Sequence, residues 1–201
     1  MKLILSSCDF LNEKSKKRIL NNIDKPIEKV RVLFIPNKLF NIDDLDKYYQ
    51  RLAIDGFTKK ENIFIFNEKD SLSFNNLDID LIYIGGGNTF STLKKLKDSE
   101  FDKEIIKYIK NGVIYVGGSC GAHIASSNIK HVLYFDKNEV KLDDLEGLNL
   151  FDGIIIPHYT EERENIYNKL IKEKKYKVYP LTNDGTLIVE DNKIKILDNE
   201  I

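Results

Sequence analysis

The chain has 201 residues, 42% hydrophobic and 31% charged, with a formal net charge of -1. That is the balance of a single globular domain with a sizeable core, and charges of both signs spread along the chain argue against a nucleic-acid partner. No apolar run is long enough to span a bilayer, the N-terminal one is too short for a signal peptide, and Cys8 and Cys120 fit no CxxC or metal-ligand spacing, so no membrane partner and a reducing cytoplasm are expected.

In chain order, residues 2–6 (KLILS) read as a strand and 12–23 as a lysine-rich amphipathic helix. Residues 29–35 (KVRVLFI) form a second strand closed by Pro36. A helix over 42–54 follows, with Asp43 and Asp44 in its first turn. Strands are expected at 62–66, 80–84, 113–116 and 153–156, with helices at 89–96, 102–109 and 161–172. The strands are near-continuous β-branched and aromatic runs, as in sheets buried on both faces. The βαβα alternation predicts an α/β three-layer sandwich around a mostly parallel central sheet. Residues 186–190 and 193–197 flank Asp191-Asn192 and read as a C-terminal β-hairpin.

Chemistry concentrates after three of these strands. Gly117-Gly118-Ser119-Cys120-Gly121 leaves a strand and opens a helix, which is the context a G-x-S-x-G nucleophile elbow needs. Ser119 takes the central position. Cys120 follows it, where its N–H can serve an oxyanion; a cysteine nucleophile would need the pattern shifted by one, which puts Ala122 on the second glycine. Cys120 otherwise reads as a small buried side chain.

The run Ile84-Gly85-Gly86-Gly87-Asn88-Thr89 also joins a strand to a helix. Its glycines let the backbone approach a ligand and aim N–H groups at it. The same residues are a tight turn in which Asn88 caps the helix. His158, in Ile156-Pro157-His158-Tyr159, lies just past a strand's C-terminal end, whereas His123 and His131 do not. Asp136, Asp143 and Asp144 all fall between Ser119 and His158, and spacing does not choose among them as the acid that orients the imidazole.

Taken together, MKLILSS, VLFIP, IGGGNTF, YVGGSCGA and GLNLFDGIIIPHY resemble the peptidase E (aspartyl dipeptidase) family of serine peptidases, nearly end to end. The resemblance implies a class-I glutamine-amidotransferase-like fold over residues 1–201 and hydrolysis of short peptides, including dipeptides with N-terminal Asp. It implies Ser119 as nucleophile, His158 as base, Asp136 as the triad acid, and Gly87 and Cys120 as oxyanion donors. Asn88 and Arg163 would contact substrate, with Arg163 gripping an N-terminal aspartate, although the loop before it is shorter than the family's. No metal or cofactor is implied. The expected partner is a small peptide, and homodimerisation is left open. Two rival readings are a small-anion or nucleotide-binding module on the same glycine turns, and an amidase that uses Cys120.

Overall fold

The computed structural model describes residues 1–37 and 45–201. Its main sheet has seven strands: β1 (Lys2–Ser6), β2 (Val32–Ile35), β3 (Ile63–Ile65), β4 (Leu81–Ile84), β5 (Ile114–Gly118), β8 (Thr186–Glu190) and β9 (Lys193–Leu197), in the order β3-β2-β4-β5-β1-β8-β9. Pairings from β3 through β1 are parallel, while β8 and β9 are antiparallel and form the expected hairpin. Among the described residues, six helices accompany the strands: α1 (Glu13–Leu20), α2 (Leu45–Asp55), α3 (Thr89–Asp98), α4 (Phe101–Lys110), α5 (Cys120–Ala125) and α6 (Glu164–Lys172).

Alternation along the strands builds two cores, one on each face of the sheet. Leu3, Leu5, Leu33, Ile35, Ile82 and Ile84 point to the face covered by α3, α4 and α5. Ile4, Val32, Phe34, Leu81, Tyr83 and Val116 point to the face covered by α1 and α2. Every residue of β2 and β4 is buried, which explains why these strands lack any polar alternation. Caps set the helix starts: the Asn12 side chain accepts from the N–H groups of Lys14 and Ser15, and Asn88 accepts from that of Ser91.

The structure departs from expectation in three places, and one further expectation falls outside the described residues. Residues 27–29 form a 3-10 turn behind Pro26, so β2 starts at Val32. Ile42, Asp43 and Asp44, expected to open α2, lie outside the described residues. Residues 161–163 form a 3-10 turn ahead of α6. Finally, β6 (Ile154–Ile156) is not in the main sheet: it pairs in parallel with β7 (Val178–Pro180), a strand the sequence reading did not contain, in a separate two-stranded sheet. Among the described residues, no helix is long and apolar enough to cross a membrane.

Candidate active site

The elbow follows from the way β5 meets α5. Ser119 sits between them at φ 46°, ψ -98°, outside the regions an L-residue prefers. Its N–H donates to the Ser6 carbonyl at 2.9 Å, and its own carbonyl accepts from the His123 N–H at 3.0 Å, so both sides of the turn are fixed. Gly121 presses on β4, where a Cβ would come 2.1 Å from the Ile84 carbonyl oxygen. The Tyr115 hydroxyl donates to the Gly121 carbonyl at 2.7 Å and holds the buried α5 in place.

The glycine run after β4 is the neighbour of the elbow because β4 and β5 pair directly, Ile84 opposite Gly117. A Cβ at Gly86 would lie 3.8 Å from that of Ser119. Gly87 has φ 137°, and a side chain there would overlap Asn37. Cys120 is the first residue of α5, where a helix has no internal partner for its N–H. The glycine run therefore comes up to the elbow at Gly86, next to Ser119.

His158 arrives from the small sheet. Its Nε2 is 3.1 Å from Ser119 Oγ. Its Nδ1 is 2.7 Å from Asn183 Oδ1, and since an amide oxygen only accepts, the Nδ1 carries the proton and the Nε2 lone pair faces the serine. The His158 N–H donates to Ser7 Oγ at 2.9 Å, and that hydroxyl donates to the Leu181 carbonyl at 2.9 Å. Cys8 Sγ lies 3.9 Å from Nδ1, its thiol pushed up by burial and by Asp9 and Asp184.

The expected acids are elsewhere. Asp136 Oδ2 accepts from the Thr89 N–H at 2.9 Å, bracing the start of α3 behind the glycine run rather than the imidazole. Asp144 pairs with Lys97 at 2.5 Å, which holds its carboxyl below the usual range, and Asp143 is exposed. Asn88 uses both ends of its amide, accepting from the Ser91 N–H and donating to the Lys137 carbonyl at 2.9 Å each. The Arg163 guanidinium donates to the Pro157 carbonyl and lies 4.4 Å over the Phe135 ring. It thereby backs the segment that presents His158. Cys120 is 1% exposed, and burial pushes its thiol up to about 12.

Sequence reasoning missed Asn183, Ser7 and Cys8. Asn183 opens the Asn183-Asp184-Gly185 turn just past β7, and reading that strand would have shown a polar turn at a sheet's C-terminal edge. His123 and His131 form a buried pair, Nδ1 to Nε2 at 3.1 Å, with His131 Nε2 also 2.8 Å from the Ile155 carbonyl. Burial holds His123 well below the usual imidazole range and lowers His131 to about 4. Among the described residues, no cluster of three or more His, Cys, Asp or Glu side chains could hold a metal ion.

The family model of peptidase family S51 matches residues 2–197. The chain belongs to peptidase family S51. Among curated S51-like relatives it is 36% identical over 120 residues to the uncharacterized peptidase Lin0382 of Listeria innocua, covering 57% of each chain. It is 34% identical over 84 residues to peptidase E of Escherichia coli O1:K1, covering 40% of this chain and 34% of that one. The S51 chain therefore matches these relatives over little more than half of their length or less. A crystal structure from Listeria monocytogenes EGD-e superposes with a TM-score of 0.75 at 24% identity, covering 98% of this chain and 97% of that one, and so shares its fold.

Proposed function

We propose that this S51 protein is a serine peptidase that hydrolyses short peptides through an acyl-enzyme on Ser119. The observation that carries the proposal is the 3.1 Å approach of His158 Nε2 to Ser119 Oγ on a strained elbow. His158 Nε2 takes the hydroxyl proton as Oγ bonds to the scissile carbonyl carbon. The Gly87 and Cys120 N–H groups receive the charge that develops on the carbonyl oxygen. His158 then passes its proton to the leaving nitrogen as the C–N bond breaks. Water attacks the ester, with His158 as base again, and Ser119 leaves reprotonated.

Asn183, in place of an acid, holds the imidazole tautomer, and Asp136 keeps the oxyanion loop in register through Thr89. A small-anion or nucleotide cradle on the same turns has no use for the serine–imidazole contact. A Cys120 nucleophile would need a thiolate, which a buried thiol pushed up to about 12 does not supply at neutral pH. Arg163 would have to leave Pro157 and Phe135 to grip a substrate aspartate, so the substrate class is held at short peptides.

The test is hydrolysis of blocked and unblocked dipeptides, Asp-X included, with labelling by a serine-directed fluorophosphonate. Ser119→Ala is expected to lower turnover by at least ~10³-fold and to abolish labelling, and His158→Ala to suppress labelling. Cys120→Ala, which keeps the main-chain N–H, stays active. Turnover that survives in Ser119→Ala would remove the proposal.

A further inference from the structure

A cavity of about 240 Å³ opens beside the glycine run, and only Gly87 of its lining has entered the chemistry above. Its wall includes Gly85, Gly86 and Gly87, together with the apolar faces of Phe34, Tyr48 and Tyr83. It sits over the C-terminal ends of β2 and β4. From β2 the chain runs outward through α2 on one face to β3, and from β4 it runs inward through α3 and α4 on the other face to β5. That reversal is a topological switch point, where open α/β sheets leave a crevice for ligands.

The floor of this cavity is acidic and buried. Asp9 is 3% exposed and Asp55 1% exposed, and both line it. The Arg51 guanidinium pairs with Asp55 Oδ1, but Asp55 Oδ2 has no hydrogen-bond partner among the described residues. The Asp9 side chain accepts from the Leu11 N–H at 3.3 Å. Two carboxylates thus face one arginine, and a buried acceptor is left without a donor, which costs stability unless something fills the site. Burial, and then Asp55, raise the Asp9 carboxyl to about 6, which is the direction an unfilled anionic site gives.

The cavity also has a definite relation to the reacting bond. Along the sheet edge, His158 hangs over the end of β1 through Ser7, Ser119 stands on β5, and the cavity lies over β4 and β2. The base delivers its proton to the leaving amine, so the leaving group lies on the β1 side and the acyl part extends toward the cavity. Asp9 reaches beneath the elbow itself, since a Cβ at Gly118 would come 2.3 Å from its Oδ2.

Resting on the serine-peptidase reading, we infer that this cavity is the acyl-side subsite and that Asp9 and Asp55 receive a primary ammonium group carried on an apolar frame. The group is either the free α-amino terminus of the peptide or a lysine side chain. The volume suits one residue and lies below the ~300 Å³ at which sites for drug-sized ligands begin. An ammonium offers three donors to the carboxylate oxygens that Arg51 and the Leu11 N–H leave open.

The experiment is calorimetric titration of the Ser119→Ala protein with three probes: phenylalaninamide, N-acetyl-lysinamide and N-acetyl-phenylalaninamide. At least one ammonium-bearing probe is expected to bind tenfold or more tighter than N-acetyl-phenylalaninamide; which of the two does so identifies the source of the ammonium. The advantage should vanish in Asp9→Asn, and in Asp55→Asn as an independent variant. Equal binding of all three probes, or an advantage that persists in both variants, overturns the inference. Turnover of p-nitrophenyl acetate, which carries no amine, separates this failure from failure of the nucleophile: loss of ester turnover in Ser119→Ala shows the nucleophile sound whatever the titration gives.

Discussion

Ser119 at φ 46° and His158 at φ 52° both hold backbone conformations that L-residues rarely adopt. Each such residue costs on the order of 1–3 kcal/mol and persists only where the surroundings over-determine it. Here the surroundings are the Ser6 carbonyl, the Gly121–Ile84 contact and the Ser7 hydroxyl. Both residues were legible because their signals are local: a glycine-flanked turn after a strand, and a histidine after Ile-Pro. The imidazole's partner was not legible, because Asn183 meets His158 through space from a turn that no spacing rule connects to it. An amide oxygen fixes the tautomer as a carboxylate does, but it has no charge to offset the imidazolium that forms during attack. Asn183→Ala is therefore expected to lower kcat by roughly 10- to 100-fold, the value of one lost hydrogen bond of about 1–3 kcal/mol, with little change in KM. Asn183→Asp should raise kcat above wild type at neutral pH. If neither variant moves kcat, Asn183 does not position the base.

At the scale of elements, α5 has six residues, all buried, and it depends on its neighbours to stay in place. One support is the imidazole pair that runs from His123 in α5 through His131 to the Ile155 carbonyl in β6. The sequence marked both histidines as lying outside the chemistry, but helical spacing alone does not show that they bridge two elements. Burial lowers His131 to about 4, so the unfolded chain takes up its proton first as pH falls. Its contribution is complete above about 6.5 and is lost progressively down to about 4, about 3 kcal/mol for a shift of this size.

Asp9 acts with the opposite sign: its carboxyl is raised to about 6, so stability rises as pH falls from there toward the usual carboxylate range. The two effects overlap and partly cancel in the wild type. The informative quantity is the difference in unfolding free energy between wild type and His131→Gln, measured by urea denaturation at pH 7 and pH 4. It should shrink by about 3 kcal/mol at the lower pH. A difference that does not vary with pH would mean that His131 titrates normally.

Over the whole molecule, Ser119 and His158, the proposed nucleophile and base, stand on different sheets. Ser119 ends β5 of the seven-stranded sheet, whereas His158 follows β6 of the two-stranded one. The sequence could not show this division. Ile154, Ile155 and Ile156 read like any strand buried on both faces, and Val178, Tyr179 and Pro180 are all half-buried, too short and too even to give a period. The parallel order of the main sheet was legible for the opposite reason, since long βα units leave few other ways to cover two apolar faces.

The Ser119–His158 contact, split between sheets, depends on what joins them, and at the β1 edge that joint is Ser7. It is 1% exposed, and its single hydroxyl accepts from the His158 N–H and donates to the Leu181 carbonyl beyond β7. Leu181 keeps a second donor in the Tyr159 N–H at 2.8 Å, so Ser7→Ala orphans mainly the His158 N–H. The expected cost is about 1–3 kcal/mol of stability. The kinetic cost should exceed what binding shows, because a small displacement of the imidazole spoils proton transfer without touching the subsite. Ser7→Ala should therefore lower kcat by about tenfold or more while KM stays within about twofold, read by steady-state kinetics on a dipeptide well below the melting temperature of the variant. A variant that loses stability yet keeps the wild-type kcat would show that the small sheet is positioned by its other contacts, with the His131–Ile155 and Asn199–Pro180 hydrogen bonds among the candidates.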